Sequence, residues 1–226
     1  MAYMWNEFNI KPIRAETIVY RDGVFLPDVS TIENGPINRK YGLPVHVIYV
    51  GEITGENALN IEINIENQPV FLSVNITNKT PTIFNIFVKN TGKKSDFRAH
   101  VMLNNSGELN YQCTAHHTAP ETTILFQTKL IANRDSKSKI AGTAIIDKNC
   151  DDCMSDIGFT AMADRSAKIS FLPAQRILSV PQRADHGAAI YRPTDAQVLY
   201  LRESGLSGAE VDDTMKVAFM NDFDLF

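Results

Sequence analysis

The chain has 226 residues, 44% of them hydrophobic and 21% charged, with 22 basic against 26 acidic side chains and a formal net charge of −4. A chain of this size can bury about 70% of its extended surface, so it needs no disulfide framework or structural metal to hold a core. The composition excludes a collagen-like, coiled-coil or largely disordered chain, and the acidic balance argues against a general nucleic-acid binder. Met1-Ala2-Tyr3-Met4-Trp5-Asn6-Glu7 has no basic segment leading into an apolar run, so no secretory signal is expected. The apolar stretch Val45–Val50, interrupted by His46, is too short to span a bilayer, and no membrane association is expected. Three cysteines, Cys113, Cys150 and Cys153, suit a reducing compartment better than a disulfide scaffold, which makes the cytoplasm the expected location.

In chain order, residues 1–40 read as an N-terminal segment, 41–192 as a β-rich core and 193–226 as a helical tail. From Leu59 the sequence alternates: Leu59, Ile61, Ile63 and Ile65 are apolar, with Asn60, Glu62, Asn64 and Glu66 between them. This period of two is the pattern of a strand with one buried and one wet face. After Asn67-Gln68-Pro69 the alternation resumes at Val70, Leu72, Val74 and Ile76, and after Asn78-Lys79-Thr80-Pro81 at Phe84, Ile86 and Val88. Asn90-Thr91-Gly92-Lys93-Lys94 is a turn cluster. Further strands are predicted at Phe97–Leu103, Leu109–Ala115, Thr123–Ile131, Ile140–Ile146, Ile157–Met162, Ile169–Leu172 and Arg176–Val180. Short strands with polar turns and no helical pattern between them predict an all-β body, either a β-sandwich or barrel or a solenoid of stacked strands. No self-similar repeat of fixed period separates these readings, and the sandwich is the commoner architecture.

The tail changes period. Thr194-Asp195-Ala196-Gln197 is a capping box ahead of Val198, Leu199 and Leu201, and Gly205 takes the usual helix-stop position. Ser207-Gly208-Ala209-Glu210 is a second box, opening a helix through Val211, Met215, Ala218 and Phe219. Two short helices joined at a glycine turn form an αα-hairpin.

Three stretches toward the end of the sequence resemble the SufB/SufD family, the scaffold proteins of the SUF system for iron–sulfur cluster assembly. They are Pro173-Ala174-Gln175-Arg176-Ile177-Leu178-Ser179-Val180, Asp185-His186-Gly187-Ala188-Ala189-Ile190, and Gln197-Val198-Leu199-Tyr200-Leu201-Arg202-Glu203-Ser204-Gly205-Leu206. The family pattern looks like a Pro-led strand, a spacer, His-Gly-Ala, and a helix ending in Tyr-Leu-Arg-x-x-Gly, followed by a second helix with a closing Ala-Phe, here Val217-Ala218-Phe219. Asp22-Gly23-Val24-Phe25-Leu26-Pro27-Asp28-Val29-Ser30 is similar to the family's opening strand and turn. The resemblance implies a right-handed parallel β-helix in place of the sandwich. It also implies that the terminal helices dock an ABC-type ATPase, the SufC subunit, and that the β-helix pairs with a second scaffold chain as a homodimer or heterodimer. A cluster would then form transiently where the two chains meet, with none permanently bound. The family's motif histidine carries over to His186, flanked by Asp185 and Gly187. Ala184 stands where SufD-like chains often have a Cys, Gly158 falls where the SufB-type Cys is expected, and Gly187 stands where SufB-type chains carry a Glu. The tail is therefore SufD-like, in a chain shorter than typical members.

A neutral imidazole is a competent iron ligand, and a neighbouring carboxylate such as Asp185 could fix its tautomer. Cys150-Asp151-Asp152-Cys153 is a single C-x-x-C, and Cys113-Thr114-Ala115-His116 offers a second pair. Together Cys113, His116, Cys150 and Cys153 would supply three thiolates and one imidazole, a set suited to zinc or an iron–sulfur cluster. The plainer reading puts Cys113 in the buried phase of Leu109 and Tyr111. His116 and His117 are expected on opposite faces of a strand, with His46 and His100 as packing or surface residues. Leu199, Leu206, Met215, Phe219 and Met220 form a candidate docking face on the helices, or else cover the end of the β-stack. There is no nucleophile motif, no Gly-x-x-x-x-Gly-Lys-Ser/Thr phosphate loop and no pair of carboxylates that can be singled out for acid–base work, so the chain is expected not to be an enzyme.

Overall fold

A computed structural model of the chain describes residues 16–22, 24–26, 28, 44–53, 57–66 and 68–221. Most of the opening segment, including Gly23, Pro27, Val29 and Ser30 of the stretch Asp22–Ser30, lies outside the described residues. The strands are β1 (Glu16–Arg21), β2 (Val24–Phe25), β3 (Val45–Ile53), β4 (Asn57–Ile65), β5 (Val70–Asn78), β6 (Thr82–Asn90), β7 (Asp96–Asn105), β8 (Glu108–His117), β9 (Thr123–Ala132), β10 (Lys137–Ile146), β11 (Met154–Ala163), β12 (Lys168–Ile177) and β13 (Arg183–Tyr191). Two helices close the chain, α1 (Asp195–Glu203) and α2 (Gly208–Asn221).

From β3 onward the strands alternate between two sheets. One runs β13-β11-β9-β7-β5-β3-β1-β2, the other β12-β10-β8-β6-β4. Apart from the short β1–β2 pair, every pairing is parallel. This is a parallel β-solenoid of about six turns, and the β-sandwich alternative is set aside. The rung length varies along the chain: Glu16 lies opposite Val45, Val45 opposite Val70, Phe97 opposite Ile124, Thr123 opposite Met154 and Met154 opposite Arg183. The larger sheet also reaches back to β1, ahead of residue 41, because Glu16 pairs with Val45 in parallel register.

The alternation explains the core. Inward positions of the larger sheet carry Leu72, Val74, Phe97, Val101, Ile124, Phe126, Ile157 and Phe159, and those of the smaller sheet carry Phe84, Ile86, Tyr111, Cys113 and Ile140, all at most 2% exposed. Burying each large side chain contributes about 1.5–3 kcal/mol. Rings stack between rungs, with centroids 5.2 Å apart for Phe84 and Tyr111 and 5.4 Å for Phe97 and Phe126. Gly142 makes room for this packing, since a Cβ there would stand 2.6 Å from Phe159 Cζ.

Where the chain bends from one sheet to the other, buried amides replace missing backbone pairs. Asn78 Nδ2 donates to Asn105 Oδ1 at 2.8 Å, Thr82 Oγ1 donates to Asn78 Oδ1 at 2.7 Å, and Asn105 Nδ2 donates to Lys137 O at 3.0 Å. On the opposite corner Asn90 Nδ2 donates to Thr123 O at 2.9 Å. Lys94, Glu121 and Asp152 take left-handed conformations, each two residues ahead of a strand of the larger sheet.

Two strands differ from expectation. Lys168–Ile177 is one continuous strand rather than two, with Pro173 inside it instead of leading it. A proline is tolerated there because β12 is an edge strand. Arg183–Tyr191, which carries the His-Gly-Ala motif, is itself a strand. Both capping boxes form: Gln197 N donates to Thr194 Oγ1 at 3.3 Å while Thr194 N donates to Gln197 Oε1 at 2.9 Å, and Ser207 and Glu210 exchange the equivalent pair. Gly205 has φ +95°, the left-handed turn between the helices.

Candidate functional site

The last rung, β12 and β13, is built differently from those beneath it. In β13 the inward phase is Ala184, His186, Ala188 and Ile190, opposite Ser155, Ile157, Phe159 and Ala161 of β11. His186 therefore continues the core column Leu72, Ala99, Phe126 and Ile157. The four residues beneath it are at most 1% exposed, yet His186 is exposed, because no described strand follows β13 in the sheet. The same holds in β12, where Gln175 continues the column of Val88, Ala115 and Ala144 and is exposed. The open end also exposes Ile177, Leu178, Val180 and Ile190.

Adjacent strand residues point to opposite faces, so Asp185 lies across the sheet from the imidazole it was expected to orient. Its carboxylate instead accepts from Arg183 Nε at 2.5 Å, and Arg183 Nη2 reaches Asp156 Oδ2 at 3.0 Å. Burial pushes the Asp156 carboxyl up, Arg183 opposes this, and Asp185 adds to it. Gly187 shares the outer face with Asp185, and a Cβ built on it would meet nothing within 4 Å.

The four proposed metal ligands are not brought together. Cys113 is in the core, 0% exposed, and burial pushes its thiol up to about 12. His116 points out of the smaller sheet, where its Nε2 donates to Asp147 Oδ2 at 2.9 Å. Spacing alone paired these two, but strand alternation puts i and i+3 on opposite faces. Cys150 and Cys153 do share a small buried cluster, with Ile146 and Ala184, in the bend between β10 and β11. Among the described residues no three His, Cys, Asp or Glu side chains stand together as a metal-holding group.

His117 was the residue to find. It follows Leu109, Tyr111, Cys113 and Ala115 in the same phase and is 0% exposed. Its Nδ1 shares a hydrogen bond of 2.7 Å with Thr122 Oγ1, which lies 3.2 Å from Cys153 Sγ. Burial, and then the neighbouring His116, lower its pKa to about 4. His46 and His100, on the outer face of the larger sheet, are also buried and lowered to about 4. His46 Nε2 shares a 2.8 Å hydrogen bond with Ser73 Oγ.

On the helices, Leu199 is 56% and Tyr200 70% exposed, while Leu206, Met215, Phe219 and Met220 are half-buried. Val211 anchors α2 at 3% exposed. The buried Lys129 donates from Nζ to Phe219 O at 2.6 Å and sits 5.2 Å from the centre of its ring, a cation placed at the carbonyl end of α2. A cleft of about 430 Å³ between the helices and the bends after β9 and β11 is lined by Arg134, Arg165 and Lys216 beside Asp164, Asp195 and Asp212. Two ion pairs form there, Arg165 with Asp195 and Lys216 with Asp212.

Among the described residues the chain is thus a parallel β-solenoid with an uncovered last rung, a histidine exposed in its core column and a C-terminal helical hairpin. Residues 60–219 match the family model described as SUF system FeS cluster assembly, SufBD core domain, and the chain belongs to that family. Its role therefore lies in iron–sulfur cluster assembly by the SUF system, whose members work in a complex. No curated protein matches the chain. Among the described residues no helix is long and apolar enough to cross a membrane.

Proposed function

We propose that this chain is a non-enzymatic, SufD-like scaffold subunit whose open last rung pairs with a second scaffold chain, and whose His186 contributes a ligand to a cluster built at that seam. The observation that carries this reading is the position of His186: in register with a hydrophobic core column, yet exposed at the end of the stack. An unpaired strand edge is a template for another chain, and β12 and β13 present two such edges beside apolar side chains. The cluster is the cargo, held transiently, with the partner completing the coordination sphere. The α1 surface around Leu199 and Tyr200 docks the SufC-like ATPase, and Phe219 and Met215 serve mainly to fix α2 to its own β-body.

The test is co-expression with the ATPase and partner scaffold of the same system, followed by anaerobic purification of wild type and His186→Ala. The scaffold reading predicts that the variant complex assembles but loses most of its iron and acid-labile sulfide. Equal iron and sulfide in both would leave only a solenoid interaction module.

A further inference from the structure

Cys150 and Cys153 are free thiols, 2% and 0% exposed, in one bend and one cluster. Asn149 (φ 62°) and Asp152 (φ 56°) coil the backbone around them. Cys153 is near enough to Cys150 to raise its pKa further, after burial. A third soft ligand is missing, since Cys113 belongs to the core and His116 faces away, so the chemistry left to the pair is that of a dithiol. The Cys153 thiol has close polar neighbours, and its Sγ donates to Ala119 O at 3.3 Å. Cys153 Sγ lies 3.2 Å from Thr122 Oγ1, which lies 2.7 Å from His117 Nδ1, and His117 Nε2 is buried without a hydrogen-bond partner.

The same bend fastens the last rung. Cys153 O accepts from Gln182 N at 2.9 Å and from Arg183 N at 3.2 Å, and Asp152 N donates to Val180 O at 3.0 Å. Asp151 accepts from Ser179 Oγ at 2.6 Å and Val180 N at 3.0 Å, while Ala184 packs on the sulfur cluster. The sulfurs and the start of β13 therefore share one hydrogen-bonded bend.

We propose that Cys150 and Cys153 form a reversible dithiol–disulfide couple that sets how firmly the last rung is held. The oxidant is a small disulfide of the glutathione class. The Cys153 S–H bond breaks, releasing its proton, and the sulfur bonds to one glutathione sulfur. The S–S bond of the oxidant breaks, and the departing thiolate takes that proton. The Cys150 sulfur then attacks the mixed disulfide at Cys153, closing the Cys150–Cys153 bond and releasing the second glutathione with the Cys150 proton. Two protein thiols are oxidised and one glutathione disulfide becomes two thiols. This chemistry belongs to the chain alone and does not depend on the scaffold reading.

The experiment takes the full-length chain through an anaerobic series of reduced and oxidised glutathione, then denatures and alkylates it for intact-mass and peptide analysis. The proposal expects two alkylation sites to vanish together at the oxidising end, both in the peptide of Cys150 and Cys153, and to return with dithiothreitol. Cys113 stays alkylated throughout. Amide exchange over Arg183–Tyr191 differs between the two forms. Three alkylated thiols across the whole series would overturn the couple, as would a disulfide that uses Cys113 or joins two chains. Cys150→Ser keeps the test sharp: an intrachain disulfide surviving in it contradicts the assignment. Identical exchange in oxidised and reduced protein would refute the link to the last rung.

Discussion

The middle rungs and the last rung obey the same alternation and reach opposite outcomes. Phe126 and Ile157 are at most 1% exposed; His186, next in the same column, is exposed. What differs is only whether another rung lies above. Position within a solenoid strand decides which way a side chain points, and position along the stack decides whether that direction is core or interface. The last rung can therefore carry His186 and Gln175 where the interior carries Phe126 and Ala144, without the cost of burying an unpaired polar group.

This contrast can be broken from its strongest side first. Phe126→Ala, in the sealed part of the column, should lower stability by about 3–5 kcal/mol in urea denaturation. His186→Ala, in the open part, should leave the unfolding midpoint nearly unchanged. Acid should act on the sealed region too. His46, His100 and His117 are held near 4 in the folded chain against an unfolded value near 6.5. Below about pH 6.5 the unfolded chain binds protons that the native chain refuses, so stability is intact above that pH. It falls as pH drops toward about 4, by at most about 1.4 kcal/mol per pH unit for each histidine. Urea midpoints measured between those limits should drop steadily, and His117→Gln should make the slope shallower. Asn105→Ala, which orphans the amide ladder at one corner, should cost about 1–3 kcal/mol by the same assay. Arg165→Ala removes an ion pair whose side chains are 81% and 88% exposed, and no shift in thermal midpoint is expected.

Legibility followed the same divide. The sealed strands were readable because their inward residues are large and apolar, as at Val70, Leu72, Val74 and Ile76. The helices were readable because Thr194 and Ser207 make local hydrogen bonds that sequence spacing specifies. β13 was not readable as a strand, since its inward set of Ala184, His186, Ala188 and Ile190 lacks the hydrophobic contrast that a covered strand needs. Pro173 split β12 in two because its edge position, which makes a proline harmless, is a property of topology. Solenoid and sandwich share the period of two, and the drifting rung length hides the repeat, so residue resemblance separated them where periodicity did not. The metal set failed because spacing was counted without asking which face each residue takes. The Cys153–Thr122–His117 chain depends on residues brought together across rungs, which no local pattern shows.

The central claim is that the last rung is open in this chain and covered in its complex. Amide hydrogen exchange over Arg183–Tyr191, compared between the isolated chain and the co-purified complex with the partner scaffold, tests it most directly. The account predicts fast exchange alone and strong protection in the complex, with Phe126 and its neighbours in β9 equally protected in both. Unchanged exchange in β13 on assembly would contradict it.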